Sequence, residues 1–241
     1  MRHSGPGAPV TRALVTGGAA GIGAAIVSRL RAAEIDVEVL DLTTGFDVAE
    51  PEHWEGVQPV EIACLNAGVL GGPPDPAELT LEAYRRAVAV NLDGVVLGVR
   101  RLARVMPRGG RIVATASLAG LTAVPSDPVY AATKHAVVGF VRSVAPALEA
   151  RGIAVNAVCP GFADTAMVAG DARARLEEAG FPLLSAAEVA EGVWTALESG
   201  ATGRAWVVQP GRPPLEFRFP GIPGPRTPAG ESAPPPPPLV P

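Results

Sequence analysis

Cysteine is scarce: Cys64 and Cys159 are the only two in 241 residues. Both lie in apolar runs that read as buried strands, so a disulfide framework or a thiolate metal site is not expected, and the pair suits a reducing compartment. Long apolar runs are missing too. The longest charge-free apolar stretch, residues 13–28, carries four glycines. It is shorter than the ~20 apolar residues needed to cross a bilayer. It does not read as a signal peptide either, because no small-residue cleavage site precedes a mature domain. No basic run exceeds a pair, and the net charge is -4, which gives no electrostatic footprint for nucleic acid. Internal repeats are absent. What these absences leave is a cytoplasmic protein with a small-molecule substrate and no nucleic acid or membrane partner.

What is present is an apolar content of 48%, enough for one large core. The pattern alternates short apolar runs with helical periodicity, which predicts an α/β fold: a single-domain, Rossmann-type doubly wound parallel sheet. Residues 1–10 read as a flexible N-terminus and 11–212 as the domain. Half of the 26 prolines fall in residues 210–241, so 213–241 reads as a Pro-rich tail, disordered at least over 228–241. The apolar stretch 212–222 is expected to dock, on a neighbouring subunit or over the cleft. One segment is too short. A parallel crossover needs at least ~10–12 residues with its helix, yet only residues 42–45 separate Asp41 from Phe46-Asp47-Val48. The crossover helix after strand 2 is therefore expected to be missing or vestigial. Further on, helical spacing from Leu81 to Met106 predicts one long helix, and Pro146 is expected to kink or end the helix that carries Tyr130.

Three features carry chemistry. Strand 12–16 runs into Thr16-Gly17-Gly18-Ala19-Ala20-Gly21-Ile22-Gly23 and then a helix, the setting in which glycines let the backbone approach a pyrophosphate at a helix N-terminus. A second apolar run ends at Asp41, where an acid meets a ribose hydroxyl. Tyr130 and Lys134 stand four apart on one helix face, and Ser117 ends another strand. A nearby ammonium favours the phenolate and lowers the tyrosine pKa. Phenol and hydroxyl together can move a proton to or from an alcohol oxygen, but they cannot accept a hydride, so a cofactor is required. Each motif alone is common by chance; their order along the chain is what makes the signal specific.

In that order they resemble the short-chain dehydrogenase/reductase family, in its single-domain branch, over about residues 11–212. The motifs are T-G-x-x-x-G-x-G at 16–23, N-A-G at 66–68, Asn91, Ser117, Y-x-x-x-K at 130–134 and P-G-x-x-x-T at 160–165. Leu65 departs from the family pattern, which usually has Asn there. The resemblance implies that Tyr130 is the catalytic acid and base, Lys134 lowers its pKa and holds the nicotinamide ribose, Ser117 polarises the substrate oxygen, and Asn91 helps hold a water that reaches Lys134. It places Gly17, Ala20, Gly21, Ile22 and Gly23 at the pyrophosphate, Asp41 and Leu42 at the adenosine ribose, and Asp47 and Val48 at the adenine. Asn66, Ala67 and Gly68 would flank the cofactor, and Pro160, Gly161, Phe162 and Thr165 its nicotinamide end. Leu118, Ala123, Val124, Phe162, Ala163 and Met167 would form a neutral, apolar substrate pocket. The expected cofactor is NAD rather than NADP, because Asp41 repels a 2′-phosphate and no Arg or Lys stands at Ala20 or Leu42. The expected activity is hydride transfer between nicotinamide and a secondary alcohol or ketone. An NADPH-type 3-oxoacyl-carrier-protein ketoreductase and a catalytically silent NAD-binding regulator are the alternatives. The family's pairing of the helices carrying Asn91 and Tyr130 implies a homodimer or homotetramer.

Overall fold

The computed structural model describes residues 11–226 and Ser232. The expected flexible N-terminus and most of the expected disordered tail lie outside the described residues. Seven strands form one sheet in the order β2-β1-β3-β4-β5-β6-β7. They are β1 (Arg12–Thr16), β2 (Asp36–Leu40), β3 (Ile62–Leu65), β4 (Arg111–Thr115), β5 (Ala154–Pro160), β6 (Ala205–Val208) and β7 (Leu215–Glu216). All neighbours pair in parallel except β6 and β7. Seven helices are interspersed: α1 (Gly21–Arg31), α2 (Pro51–Glu55), α3 (Leu81–Val88), α4 (Gly94–Val105), α5 (Pro128–Glu149), α6 (Gly170–Glu178) and α7 (Ala186–Glu198). The doubly wound α/β architecture is as the alternation of patterns predicts.

The sheet has a core on each face. Leu14, Ala63, Leu65 and Ile112 pack under Trp54, Val99, Leu102 and Val141 from α2, α4 and α5. On the other face Val15, Ile62, Cys64 and Val113 pack under Ile26, Leu30, Val189 and Val193 from α1 and α7. Alternation along buried strands sends successive side chains into opposite cores.

Residues 46–48 form no strand, so the chain runs from β2 to β3 over residues 41–61, and its helical content there is vestigial. The connection holds a three-residue 3-10 turn, Leu42–Thr44, and the single-turn α2. In place of a helix, Trp54 donates from Nε1 to the Val48 carbonyl at 2.9 Å and meets Phe46 edge-on at 5.1 Å. β2 is consequently an open sheet edge, and Asp36 and Glu38 on its α2-side face stay in water because nothing covers them. Leu65 is buried against Gly98 of α4, where an added Cβ would lie 2.9 Å from a Leu65 methyl carbon.

Three expectations are corrected. The helix predicted from Leu81 to Met106 is interrupted by a π turn at Ala89–Asp93, which carries Asn91 into the interior. Pro146 does not end its helix: α5 runs on to Glu149, because Ala145 and Leu148 remain buried in the core beyond it. Within residues 212–222, residues 215–219 dock on the chain's own sheet edge and α5 rather than over the cleft. β7 pairs with β6, Phe217 donates its amide to the Ala205 carbonyl at 2.8 Å, and the Arg142 guanidinium of α5 lies 3.7 Å from the Phe219 ring centre.

Candidate active site

The sheet order reverses between β1 and β3, so a crevice opens there at the carboxyl ends of the strands, where α/β sheets bind ligands. Two left-handed glycines, Gly17 (φ 62°) and Gly21 (φ 52°), make the turn from β1 to α1. A Cβ at Gly17 would lie 2.9 Å from the Ala67 backbone, so N-A-G and the glycine turn touch. No side chain caps α1: its N-cap is Ala20. Its first N–H groups are thus free for an anion, the condition a pyrophosphate needs. These residues fit a dinucleotide.

Strand-end hydroxyls weld the floor of the crevice. Thr16 Oγ1 accepts from the amides of Asn66 (2.8 Å) and Ala67 (3.1 Å), and Thr115 Oγ1 donates to Asn66 Oδ1 at 3.1 Å. On the β2 side, Asp41 accepts from Thr43 N (3.0 Å), Thr43 Oγ1 (2.9 Å) and Ala19 N (3.2 Å). The backbone bond from Thr43 is the main reason its carboxyl sits below the ordinary carboxylate range. One oxygen therefore faces the glycine turn. Asp47 and Val48 line the next turn: the Asp47 amide donates to His53 Nδ1 at 2.8 Å, and Val48 is buried against Gly94.

The chemical groups meet on the other side of the crevice. Ser117 follows β4 and stands beside the Tyr130 phenol, whose ionised form it favours. Lys134, the only lysine in the chain, is buried and donates to the Thr115 carbonyl at 2.8 Å, with Nζ 5.5 Å from the Tyr130 ring centre. Asn91, fully buried, accepts from Val69 N (2.8 Å) and donates to Val69 O (2.9 Å) and Thr133 Oγ1 (3.1 Å). It pins the loop after N-A-G to α5. A Cβ at Gly68 would lie 3.3 Å from Asn91 Oδ1 and 3.4 Å from Lys134 Nζ, so glycine keeps the gap between them open.

The electrostatics differ from the simple tyrosine–lysine picture. Burial pushes the Tyr130 phenol up, Ser117 pulls it down, and Asp127 and Cys159 push it up further. Burial also lowers Lys134 from 10.5 to about 8. The expected lowering of Tyr130 by Lys134 is not what sets the free protein's phenol: desolvation dominates both groups. This has a measurable consequence. Between about pH 8 and the ordinary lysine value the unfolded chain binds the extra proton, so stability rises with pH there. Burial raises Cys64 and Cys159 from 9.0 to about 12, so above the ordinary thiol value the unfolded chain loses protons first and stability falls. Two thiols outweigh one amine. Between pH 8 and 9 the amine adds about 1 kcal/mol and the two thiols remove about 0.7 kcal/mol, so urea unfolding of the nucleotide-free protein should show a shallow maximum near pH 9, about 0.3 kcal/mol above pH 8, and then a decline. Lys134→Met should turn that interval into a loss of about 0.7 kcal/mol; a wild-type profile that falls as steeply as the variant's would contradict the buried-amine assignment.

The substrate side is mixed. Phe162 is 49% exposed and stacks edge-on with Phe181 at 5.7 Å, and Met167 is also exposed. Leu118 is half-buried and Val124 likewise, while Ala123 is exposed. Ala163, expected in the pocket, is instead buried in the α1–α7 core and bridges to Leu184; with Phe162 facing out, its successor turns inward. Thr165 stands across from Gly21, whose added Cβ would lie 3.5 Å from its methyl group. Pro160 ends β5, and Gly161 packs where an added Cβ would lie 2.7 Å from Gln209 Oε1. Arg173 of α6 pairs with Asp164 and Glu177, tying α6 to the segment that follows β5. Sequence reasoning missed Thr16, Thr115, Asp127 and Phe181. The first two had a signal, a hydroxyl closing an apolar strand beside a motif; Asp127-Pro128 had another, the N-cap followed by proline at the first helical position.

A glycine turn at the sheet's reversal point, facing a half-buried Ser–Tyr pair over a buried lysine, defines a Rossmann-type nucleotide-binding oxidoreductase. The chain belongs to the short-chain dehydrogenase/reductase family. Residues 49–175 match the family model described as short chain dehydrogenase. The chain is 32% identical over 219 residues to 1-deoxy-11-beta-hydroxypentalenate dehydrogenase of Streptomyces exfoliatus, spanning 78% of this chain and 79% of that one. It is 36% identical over 185 residues to the mitochondrial borneol dehydrogenase of Lavandula x intermedia, spanning 66% and 71%. Among solved structures, a short chain dehydrogenase from Burkholderia cenocepacia J2315 in complex with NADP superposes with TM-score 0.71 at 29% identity, covering 82% of this chain and 96% of that one. Among the described residues no helix is long and apolar enough to cross a membrane, and no cluster of His, Cys, Asp and Glu could hold a metal.

Proposed function

We propose that the protein is an NAD(H)-dependent dehydrogenase or carbonyl reductase acting on a secondary alcohol or ketone carried by a neutral, hydrophobic ring system. The observation that carries this is Ser117 beside the Tyr130 phenol, with a buried Lys134 one turn along the same helix and an uncapped glycine turn across the crevice. A bound nicotinamide supplies the hydride acceptor or donor. The chain supplies the proton path: Ser117 and Tyr130 hold the substrate oxygen, and Tyr130 takes or gives the proton. Lys134 steers the phenol and the ribose, and the gap beside Gly68 is the place for a water joining Lys134 to the Asn91 side. Ile22, Gly23 and the α1 amides hold the pyrophosphate, and Asp41 the ribose. The exposed apolar rim of Phe162, Phe181, Met167 and Leu70 suits a bulky apolar substrate, and borneol, which names one relative, is an alicyclic secondary alcohol. The decisive experiment is a screen of alicyclic alcohols with NAD⁺, following absorbance of the reduced cofactor. Turnover is expected, and no turnover with any alcohol or, in reverse, any ketone would overturn the reading. A carrier-protein ketoreductase with NADPH is the second reading; Asp41 weighs against it.

A cytoplasmic setting is part of the proposal and rests on two buried, unpaired cysteines. So is a homodimer or homotetramer. The outward face of α5 carries small side chains, Ala132, Gly139, Ser143 and Ala147, which let a second helix approach closely. Light scattering at micromolar concentration should give at least twice the 24.5 kDa chain mass; the mass of a single chain would contradict this.

A further inference from the structure

We infer that Asp127 is a positioning residue for the proton transfer, its carboxylate holding the start of the Tyr130 helix and the loop after β3 in one fixed relation. The inference rests on the proposed role of Tyr130. Asp127 is the N-cap of α5, where Oδ1 accepts from the Tyr130 amide at 2.9 Å. An ordinary cap would stop at that bond. Here Oδ2 also accepts from the Gly71 amide at 2.8 Å, across 56 residues of sequence. The carboxylate is only 8% exposed. A Cβ at Gly71 would lie 2.5 Å from Asp127 Oδ1 and collide with the Tyr130 amide nitrogen, so the loop lies directly on the helix end. Gly71 follows the exposed Leu70, so the same carboxylate that seats the phenol's backbone also seats a wall of the cleft. Serine or threonine would cap α5 equally well, but neither offers a second oxygen on the far side for Gly71.

The carboxylate also acts on the phenol through its charge. The groups that face Tyr130 are Ser117 from the end of β4, Lys134 one turn further along α5, Cys159 from β5, and Asp127 itself; residues 69–71 bring no titratable group. Ser117 favours the phenolate, whereas Asp127 and Cys159 disfavour it. Asp127 thus holds the phenol in its acid form to higher pH, the form that returns a proton to a carbonyl.

The chain has two tyrosines, Tyr84 and Tyr130, so in a Tyr84→Phe background the absorbance of tyrosinate reports Tyr130 alone, without substrate. Asp127→Asn keeps the volume, loses the charge and has one oxygen, so it can accept from the Tyr130 amide or the Gly71 amide but not both. Asp127→Ser keeps the cap and loses the tether. Both should titrate Tyr130 at lower pH than the parent, and both should speed amide exchange at Gly71. The pH profile of kcat should move in the same direction. A misplaced reacting group costs up to about 10²-fold, so kcat should fall by roughly 10–10²-fold in Asp127→Ser with nucleotide affinity unchanged. An unmoved tyrosinate titration with unchanged Gly71 exchange, whatever happens to melting temperature, would reduce Asp127 to a helix cap and overturn the inference. Should Tyr130→Phe retain turnover, the proposed chemistry fails instead, and the titration and exchange still decide whether Asp127 acts on Tyr130 and Gly71. Asp127→Asn, close to the native volume, serves that purpose if the serine variant does not fold.

Discussion

Tyr130→Phe is expected to lower kcat by ~10²–10⁴-fold, the usual worth of a positioned general acid–base, while nucleotide binding survives. The substitution removes one oxygen and leaves the ring. The ring's place is fixed by α5, whose neighbours Ala131, Thr133 and Lys134 are buried, so the backbone and the Asp127 cap have no reason to move. What is lost is the hydroxyl that, in the proposed mechanism, exchanges a proton with the substrate oxygen. Ser117 keeps its bond from the Ala119 amide at 3.1 Å and still orients the oxygen. Lys134→Ala differs in kind. It removes the charge that would meet the ribose as well as the one beside the phenol, so both turnover and nucleotide affinity should fall. Steady-state kinetics with a fluorescence titration of nucleotide separates the two patterns. Turnover of Tyr130→Phe within a few-fold of wild type would remove Tyr130 from the mechanism.

The parts legible in the sequence were those set by backbone geometry. Glycine is needed where φ is positive and where two backbones touch, so the turn at Gly17–Gly21 and its meeting with Ala67 left a spacing that can be read. The lack of an α-helix between Asp41 and Asp47 was legible from length alone, since residues 42–45 are too few for one; that residues 46–48 pair with no strand and the chain goes on to Ile62 was not. What was not legible was set by contacts between distant segments. Asn91 reads as a buried amide in an apolar helix, but only the fold brings Val69 and Thr133 to it, and only the π turn points it inward. Lys134 was expected to tune Tyr130, yet its amine is turned to the Thr115 carbonyl and desolvation governs both groups. Pro146 reads as a helix end because local propensity says so; burial of Ala145 and Leu148 overrides it. The aromatic pair Phe217 and Phe219 lies in a proline-rich stretch that looks like tail, and its docking on β6 and α5 has no local signal.

The second large effect expected is a preference for NAD over NADP on the order of 10²-fold in kcat/KM, with Asp41 as the cause. Its carboxylate is fixed at the mouth of the glycine turn by Thr43 N, Thr43 Oγ1 and Ala19 N, three neutral donors. These hold it ionised at neutral pH and leave lone pairs for the adenosine ribose hydroxyls. NADP carries a phosphate at one of those hydroxyls. Two like charges ~4 Å apart repel by about 4 kcal/mol at the effective dielectric of a protein surface. Asp41 is only partly buried, so solvent screening reduces this to roughly 2–3 kcal/mol, and ~1.4 kcal/mol corresponds to each tenfold. A site built for the phosphate would also offer a cation. Ala20 and Leu42 occupy the neighbouring positions, and Leu42 is 72% exposed with nothing to pair a phosphate. The repulsive element is present and the attractive one absent, which is how discrimination against a competitor is built. The Burkholderia cenocepacia relative is in complex with NADP, so the architecture does not itself exclude a 2′-phosphate, and the expected exclusion rests on local residues. Asp41→Ser keeps a cap for the Thr43 amide and removes the charge. It should narrow the preference mainly by improving kcat/KM with NADP, leaving kcat with NAD nearly unchanged because Asp41 lies far along the crevice from Tyr130. Comparable kcat/KM for the two cofactors in the wild-type protein would defeat the assignment, and so would an Asp41→Ser variant that loses NAD activity without gaining any with NADP.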